Sequence, residues 1–550
     1  MNDRAGRTGT FASSIDPSES AGRGGLVDAA FAALRLVYPV PARAAGALVV
    51  AGAVLGVAGE ALLFESNDIA INLALWIGGV AATAVVLSRR VATRLDPERA
   101  AWLATGSLFA AGLAWRDAVP LKLLALVVTT VAFAIAAHRS SAAWVRRAGI
   151  LRDVAAVALG AIHTWLSPVV AIADATRVGA DAGIRHSAGW RRAAGIARGL
   201  AIAAPLVIVF TALFASADAV FAGLVGRVVQ FDVGRVVGRV VVFAILAWIS
   251  TGYLRGFLSG TALPTGLGRE TADRREEPRT TIPGLGATEV ATAMAVLDLL
   301  FLIFVAVQFR YLFGSDAVVR ITPDLTYADY ARRGFFELVV SVGLVVPVLL
   351  AADWLVGDRR ARSAAVVRGL AAAQVVLVLA IAASAFERLR LYHAAYGFTE
   401  ARFYAMVLLV WLSAMLIWLA ATVLRGRRGP FAFGVLTSGV LTVGVLFVIG
   451  PDQAIARANL ARAAAPDAAR RLDARYVSSL SADAVPTLIA ALPTLPADGQ
   501  CVVAHELLRR WPADRHPSIR DWNWSTSRAR QLVAARESEL KAMACTTGVR

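Results

Sequence analysis

Twelve apolar runs, at 44–64, 69–87, 100–115, 119–137, 154–173, 199–217, 236–257, 288–309, 335–356, 366–386, 402–424 and 431–450, limit what this chain can fold into. A run of about 18 or more apolar residues can cross a hydrocarbon core of roughly 30 Å, where only helices or closed barrels satisfy every backbone group. These runs do not alternate and are about twice the length of a barrel strand, so they read as helices. The expected fold class is all-α: a polytopic helical transmembrane bundle of about 11–12 spans with a small C-terminal helical extramembrane domain. Residues 219–230 are too short to cross and read as an interfacial or re-entrant piece.

The composition agrees, with 58% hydrophobic residues and a mean hydropathy of +0.63 over 550 residues. The net charge of +17 raises the question of nucleic acid. Its arginines stand in short clusters beside the apolar runs, with no basic face interleaved with aromatics, so a nucleic-acid partner is not expected. The excess of basic residues in cytoplasmic loops accounts for them better. On that rule the Arg-rich stretches 174–198, 258–287, 357–368 and 425–430 lie inside, while 310–334, 387–401 and everything after the last span lie outside. Arg89, Arg90, Arg94, Arg99 and the cluster at 139–152 also belong inside, which leaves parity unsatisfied around 154–173. Eleven and twelve spans are both allowed. The expected location is the plasma membrane, multi-pass, with the N-terminus cytoplasmic and the C-terminus extracytoplasmic.

The chain divides into a polar tail (1–43), an N-terminal transmembrane region (44–257), a cytoplasmic linker (258–287), a C-terminal transmembrane region (288–450) and an extracytoplasmic helical domain (451–550). The tail lacks the short apolar core of a signal peptide, and the linker has the Pro, Gly and charge content of a disordered segment. In the last domain, "LDARYVSSLSADAVPTLIAAL" reads as short amphipathic helices interrupted at Pro486 and Pro493. The only cysteines, Cys501 and Cys545, both lie there. An oxidising compartment permits a disulfide between them.

Catalytic spacings are missing. "HELLR", at His505 to Arg509, has Arg where a zinc protease helix needs a second His, and no Gly-rich phosphate loop or nucleophile elbow occurs. His163 reads as a hydrogen-bonded core residue. No metal or cofactor is implied, and an enzyme is the less favoured reading. Small residues at four-residue spacing (Gly52 and Gly56; Gly234 and Gly238; Gly252, Gly256 and Gly260) read as helix-packing faces.

Two kinds of feature point to function. Asp298, in "MAVLDLLFLIFVAVQF", lies near mid-depth in a span, where an unpaired charge is expensive, so it must be protonated, paired or facing water. Glu60, Lys122, Glu337, Asp353 and Arg255 lie nearer span ends and can reach the interface. The second feature is a pair of helical ends expected on the outer face. In "TYADYARRGFFEL" (326–338), Thr326 and Asp329 form an N-cap signal; Asp329, Arg333 and Glu337 stack on one face, beside Tyr327 and Tyr330. In "FERLRLYHAAYGFTEARFY" (386–404), Arg388, Tyr392 and Tyr396 share a face, Gly397 suits the left-handed C′ position and Thr399 caps the next span. Acids in register with arginines suggest an outer-face network beyond a plain aromatic belt.

These stretches, with "GPDQAIARANL" (450–460), "LDARYVSSLSADAVPTL" (472–488) and "DWNWSTSRAR" (521–530), resemble actinobacterial polytopic membrane proteins carrying a domain of unknown function, the 4153/4173 group. The resemblance covers roughly 200–530, and the amino-terminal third matches little. It implies an integral membrane protein and supplies no activity. Three readings follow. The first is transport or handling of a lipid or envelope component, with the lipid bilayer and a lipid or anionic small molecule as partners. The others are a sensory or scaffold protein presenting its outer face, and a membrane-embedded transferase acting on a lipid-linked substrate.

Overall fold

The computed structural model describes residues 42–66, 68–91, 95–137, 164–165, 167–175, 234–259, 287–313, 335–356, 361–427, 429–464, 472–512 and 518–544, with isolated positions between 199 and 223. Among the described residues there are helices and no strand. Ten form the bundle: α1 (Ala42–Leu63), α2 (Ile71–Arg90), α3 (Pro97–Gly112), α4 (Val119–Ala137), α5 (Gly234–Ser259), α6 (Ala287–Phe313), α7 (Phe335–Val356), α8 (Ala361–Tyr396), α9 (Glu400–Thr422) and α10 (Gly429–Ile449). Eight of these are long and apolar enough to cross a membrane, which makes the chain a polytopic membrane protein. The apolar stretch of α7, Leu338–Asp353, is shorter. α3, at 16 residues and with a buried Arg99, is shorter than these eight, yet it runs from the Ala136 and Phe257 end of the bundle to the module end. The expected spans at 154–173 and 199–217 fall mostly outside the described residues.

Two apolar cores organise the bundle. One joins α1 to α5 around Leu48, Ala84, Ala132 and Leu254; the other joins α6 to α9 around Val342, Val378, Leu409 and Leu416. α10 belongs to both halves. Its first turn puts Phe431 into the second core, while Val443, Leu446 and Phe447 pack on α3 and α4. The small-residue face of α1 explains its close seat on α5, because a Cβ at Gly52 would overlap Thr251 and one at Gly56 would meet Ala247 and Phe243.

The chain after Ile449 folds into α11 (Pro451–Ala463), α12 (Ala474–Ser479), α13 (Val485–Ala491), α14 (Ala497–Arg510), α15 (Trp524–Ala535) and α16 (Glu537–Met543). These helices share their own core, centred on Ile455, Val503, Leu507 and Val533, into which Phe398 and Phe403 also pack. Pro486 stands in the first turn of α13, where its missing N–H costs nothing, and Pro493 lies in a 3-10 turn. The module sits at one end of the bundle. At the opposite end, Arg89 and Arg90 close α2 and Arg425 closes the turn after α9. There Arg99 ties three helices together, donating to the carbonyls of Ala136 (2.8 Å) and Phe257 (2.7 Å) while lying over the Phe257 ring.

Candidate functional site at the bundle and module junction

The module is held by a reciprocal exchange between two aspartates. The α3–α4 turn presents the dipeptide Arg116–Asp117, and the 3-10 turn before α13 presents Asp483. The backbone N–H groups of Asp117 and Ala118 donate to Asp483 Oδ2 at 3.1 and 3.2 Å. In return, the Ala482 N–H donates to Asp117 Oδ2 at 3.2 Å. Each carboxylate thus satisfies helix-start donors on the other element, which would otherwise be buried without partners. Ser525 donates its hydroxyl to Asp483 Oδ1, and Arg116 Nη1 pairs with the same oxygen at 3.7 Å. Arg116 also reaches the last turn of α10, donating to the Phe447 carbonyl at 2.8 Å and the Val448 carbonyl at 3.0 Å.

"DWNWS" completes the junction as a strap. Asn523 Nδ2 donates to the carbonyls of Leu113 and Arg116, both at 2.9 Å, and the Trp524 N–H donates to the Ala114 carbonyl at 2.8 Å. The carbonyls at the C-terminal end of α3 are therefore capped by a segment 410 positions away in the chain. Asn523 also caps its own helix, accepting from the Thr526 N–H. Beside it, Lys122, at the start of α4, bridges Asp68 (3.1 Å) and Asp117 (3.0 Å). A cleft of about 250 Å³ opens on this junction between Trp115, Arg116, Gln453, Trp524 and Arg528.

A second contact lies at the start of α9. Gly397 takes φ +82 after α8, as its C′ role requires, and the Asn459 side chain accepts from the Phe398 N–H (2.7 Å) and donates to the Phe398 carbonyl (2.9 Å). Asp452 is fully buried, accepts from the Ser481 N–H at 2.9 Å, and lies within hydrogen-bonding reach of the Glu400 carboxyl. Burial raises the Asp452 carboxyl above its ordinary value. The Tyr476 hydroxyl, pushed up to about 12 by burial, accepts from the Glu400 N–H at 2.8 Å.

Several expected site residues stand elsewhere. Tyr327, Asp329, Tyr330, Arg333 and Cys545 lie outside the described residues, as does the Glu337 side chain within α7. Tyr392 and Tyr396 do share a face, with ring centroids 4.8 Å apart, and Arg402 lies over Tyr392. Arg388 does not join them. It turns into the bundle and donates to Gln308 of α6, because a guanidinium facing hydrocarbon needs an acceptor. Thr399 occupies the N-cap position of α9 without a side-chain cap. Arg255 is 2% exposed and pairs with Asp174 at 3.4 Å. Cys501 is disulfide-bonded. Asp298 is 8% exposed, and neither of its oxygens has a hydrogen-bond partner among the described residues.

Sequence reasoning did not identify Arg116, Asp117, Asp483 and Asn523 as a set. Their only signal was a charged dipeptide in a short turn between two apolar helices. It also left unassigned a cavity of about 380 Å³ at membrane depth between α2, α4, α5 and the helical residues 164–165. Its walls include Trp76, Phe133, Trp165, Trp248 and Tyr253, and Trp248 is fixed by donating to the Trp165 carbonyl at 3.0 Å.

No curated protein and no solved structure matches the chain significantly. The family model for DUF4153, a domain of unknown function, matches residues 103–491, so it starts far earlier than the 200 expected and takes in the α3–α4 turn as well as Asp452 and Asp483. The match covers more than two thirds of the chain, which belongs to the DUF4153 family.

Proposed function

We propose that this is a multi-pass plasma-membrane protein that handles a lipid-like component of the cell envelope, taking an acyl chain into the cavity between α2, α4 and α5. The cavity carries this reading. Its volume of about 380 Å³ falls within the range of small-molecule sites, about 300–1,000 Å³, and its walls are almost wholly apolar. It is partly open and lies among helices that cross the membrane, so acyl chains are the apolar molecules at hand. The arginines at the end opposite the module support a cytoplasmic position for that end and an extracytoplasmic position for the module.

Photolabelling tests the reading. In liposomes containing a phospholipid with a photoreactive acyl chain, label is expected to concentrate on the cavity-lining parts of α4 and α5. Thr130→Trp, which projects a large ring into the cavity from an exposed position, is expected to lower that label several-fold. Uniform labelling of all lipid-facing helices, unaltered by Thr130→Trp, would overturn the reading.

A further inference from the structure

The seam between α6 and α8 carries polar residues where a membrane helix pair ordinarily has none. On α6 the inward stripe runs Met294, Asp298, Phe301, Val305 and Gln308, with Phe301 and Val305 half-buried; on α8 the buried stripe runs Ala371, Gln374, Val378, Ile381 and Ala385. Both alternate steps of three and four, the spacing of a knobs-into-holes seam. The opposite face of α6, with Val296, Leu299 and Ile303 more than half exposed, faces outward.

Register places the polar residues in layers. Gln308, near the end of α6, accepts from Arg388 and, at 3.4 Å, from Ser384, near the end of α8. The stripes are buried together back from that contact, so the two helices run in the same direction. Asp298 and Gln374 each precede the Gln308–Ser384 contact by ten residues, about 15 Å of helix. They therefore occupy the same level, midway along the 22-residue span Ala287–Gln308. Asp298 is 8% exposed and Gln374 is fully buried. Neither the two carboxyl oxygens nor the amide oxygen and nitrogen has a hydrogen-bond partner among the described residues.

Four polar atoms without partners at one level of a membrane helix pair form an incomplete site. We propose that Asp298 and Gln374 form an intramembrane site for a small monovalent cation, a proton or Na⁺, held by the carboxyl group and the amide oxygen. A carboxylate and an amide oxygen are hard ligands that accept either ion. A cation neutralises the carboxylate, which is what a low-dielectric position demands. Among the described residues, the neighbouring helices supply no competing charge at this level. On α7 the acids are Glu337 and Asp353, near its ends, and on α9 no charged residue stands between Arg402 and Arg425. On α8 the nearest are Arg368, toward the arginine-rich end, and Glu387 and Arg388, toward the module. The Gln308–Ser384 layer is the polar step between the site and the module end. This site is separate from the acyl-chain cavity and stands whether or not that reading does.

Infrared difference spectroscopy of the full chain in liposomes reads the site directly. Stepping the pH in the absence of Na⁺ is expected to give a protonated-carboxyl band that exchanges with deuterium and is missing in Asp298→Asn. Gln374→Leu, which keeps the acid but removes its partner, is expected to move the midpoint of that band by at least tenfold in proton concentration. Asp298→Glu is expected to restore a titrating band at a shifted midpoint, which guards against a general folding defect in Asp298→Asn. Loss of the band on adding Na⁺ at fixed pH identifies a site that takes both ions; insensitivity to Na⁺ identifies a proton site. A band that neither titrates nor exchanges, or one that Asp298→Asn leaves in place, would overturn the proposal.

Discussion

At the scale of single residues, the module is fastened by buried side chains whose partners are backbone groups. Asp483 accepts from two N–H groups and from the hydroxyls of Ser525 and Ser481 and pairs with Arg116, and its side chain is fully buried. Asp483→Ala takes the acceptor from the Asp117 and Ala118 N–H groups and the carboxylate from Arg116, and should destabilise the module's attachment by about 3–5 kcal/mol, with a smaller loss for Asp483→Asn. Thermal unfolding together with protease sensitivity between α10 and α15 would measure it. Asp452 gives a pH dependence of definite sign. Its folded-state pKa is raised above 3.8, so the folded chain keeps a proton that the unfolded chain has released. That contribution is complete below the unfolded value and disappears as pH rises through the folded one. Asp452→Asn imitates the protonated form. It should melt no lower than wild type at neutral pH and show a flatter dependence of melting temperature on pH from mildly acid to mildly alkaline. Neither aspartate was distinguishable in the sequence from an ordinary loop acid, because their roles depend on which backbone donors another segment brings near.

At the scale of elements, the apolar runs predicted all ten described bundle helices, and the glycine spacing predicted a packing face. The partner of that face was not legible. α1 packs on α5 across about 190 residues of chain, and Gly56 leaves so little room that an added Cβ would lie 2.7 Å from Ala247 Cβ. Gly56→Leu should destabilise this pair by about 1–3 kcal/mol or prevent its assembly, whereas Gly46→Leu, with no heavy atom within 4 Å of the added Cβ, should be close to neutral. Melting temperatures and gel-filtration profiles of the two variants in detergent would separate them. α3 shows what hydropathy leaves out: its buried Arg99 holds the ends of α4 and α5, a role that its apolar pattern does not reveal.

At the scale of the whole molecule, the disulfide reports both stability and compartment. Cys501 is bonded, and Cys545 is the expected partner. Reduction, or Cys501→Ser, should destabilise the module by about 2–4 kcal/mol, and a thiol assay on membranes prepared under a thiol-blocking reagent should find no free thiol until a reductant is added. Two free thiols would place the module in a reducing compartment and reverse the orientation inferred from the arginines. The sequence by itself determined the helical class, the membrane environment, the polar residues that stand out in apolar runs and the change in character after residue 450. These follow from hydropathy and backbone satisfaction, which act locally along the chain. Only the tertiary structure decided that α10 serves both halves, that "DWNWS" caps α3, that Asp117 and Asp483 exchange donors, and that Asp298 stands level with Gln374. Each of those depends on which distant segments meet, and a hydrogen-bond donor is assigned its acceptor only when the fold brings the two together.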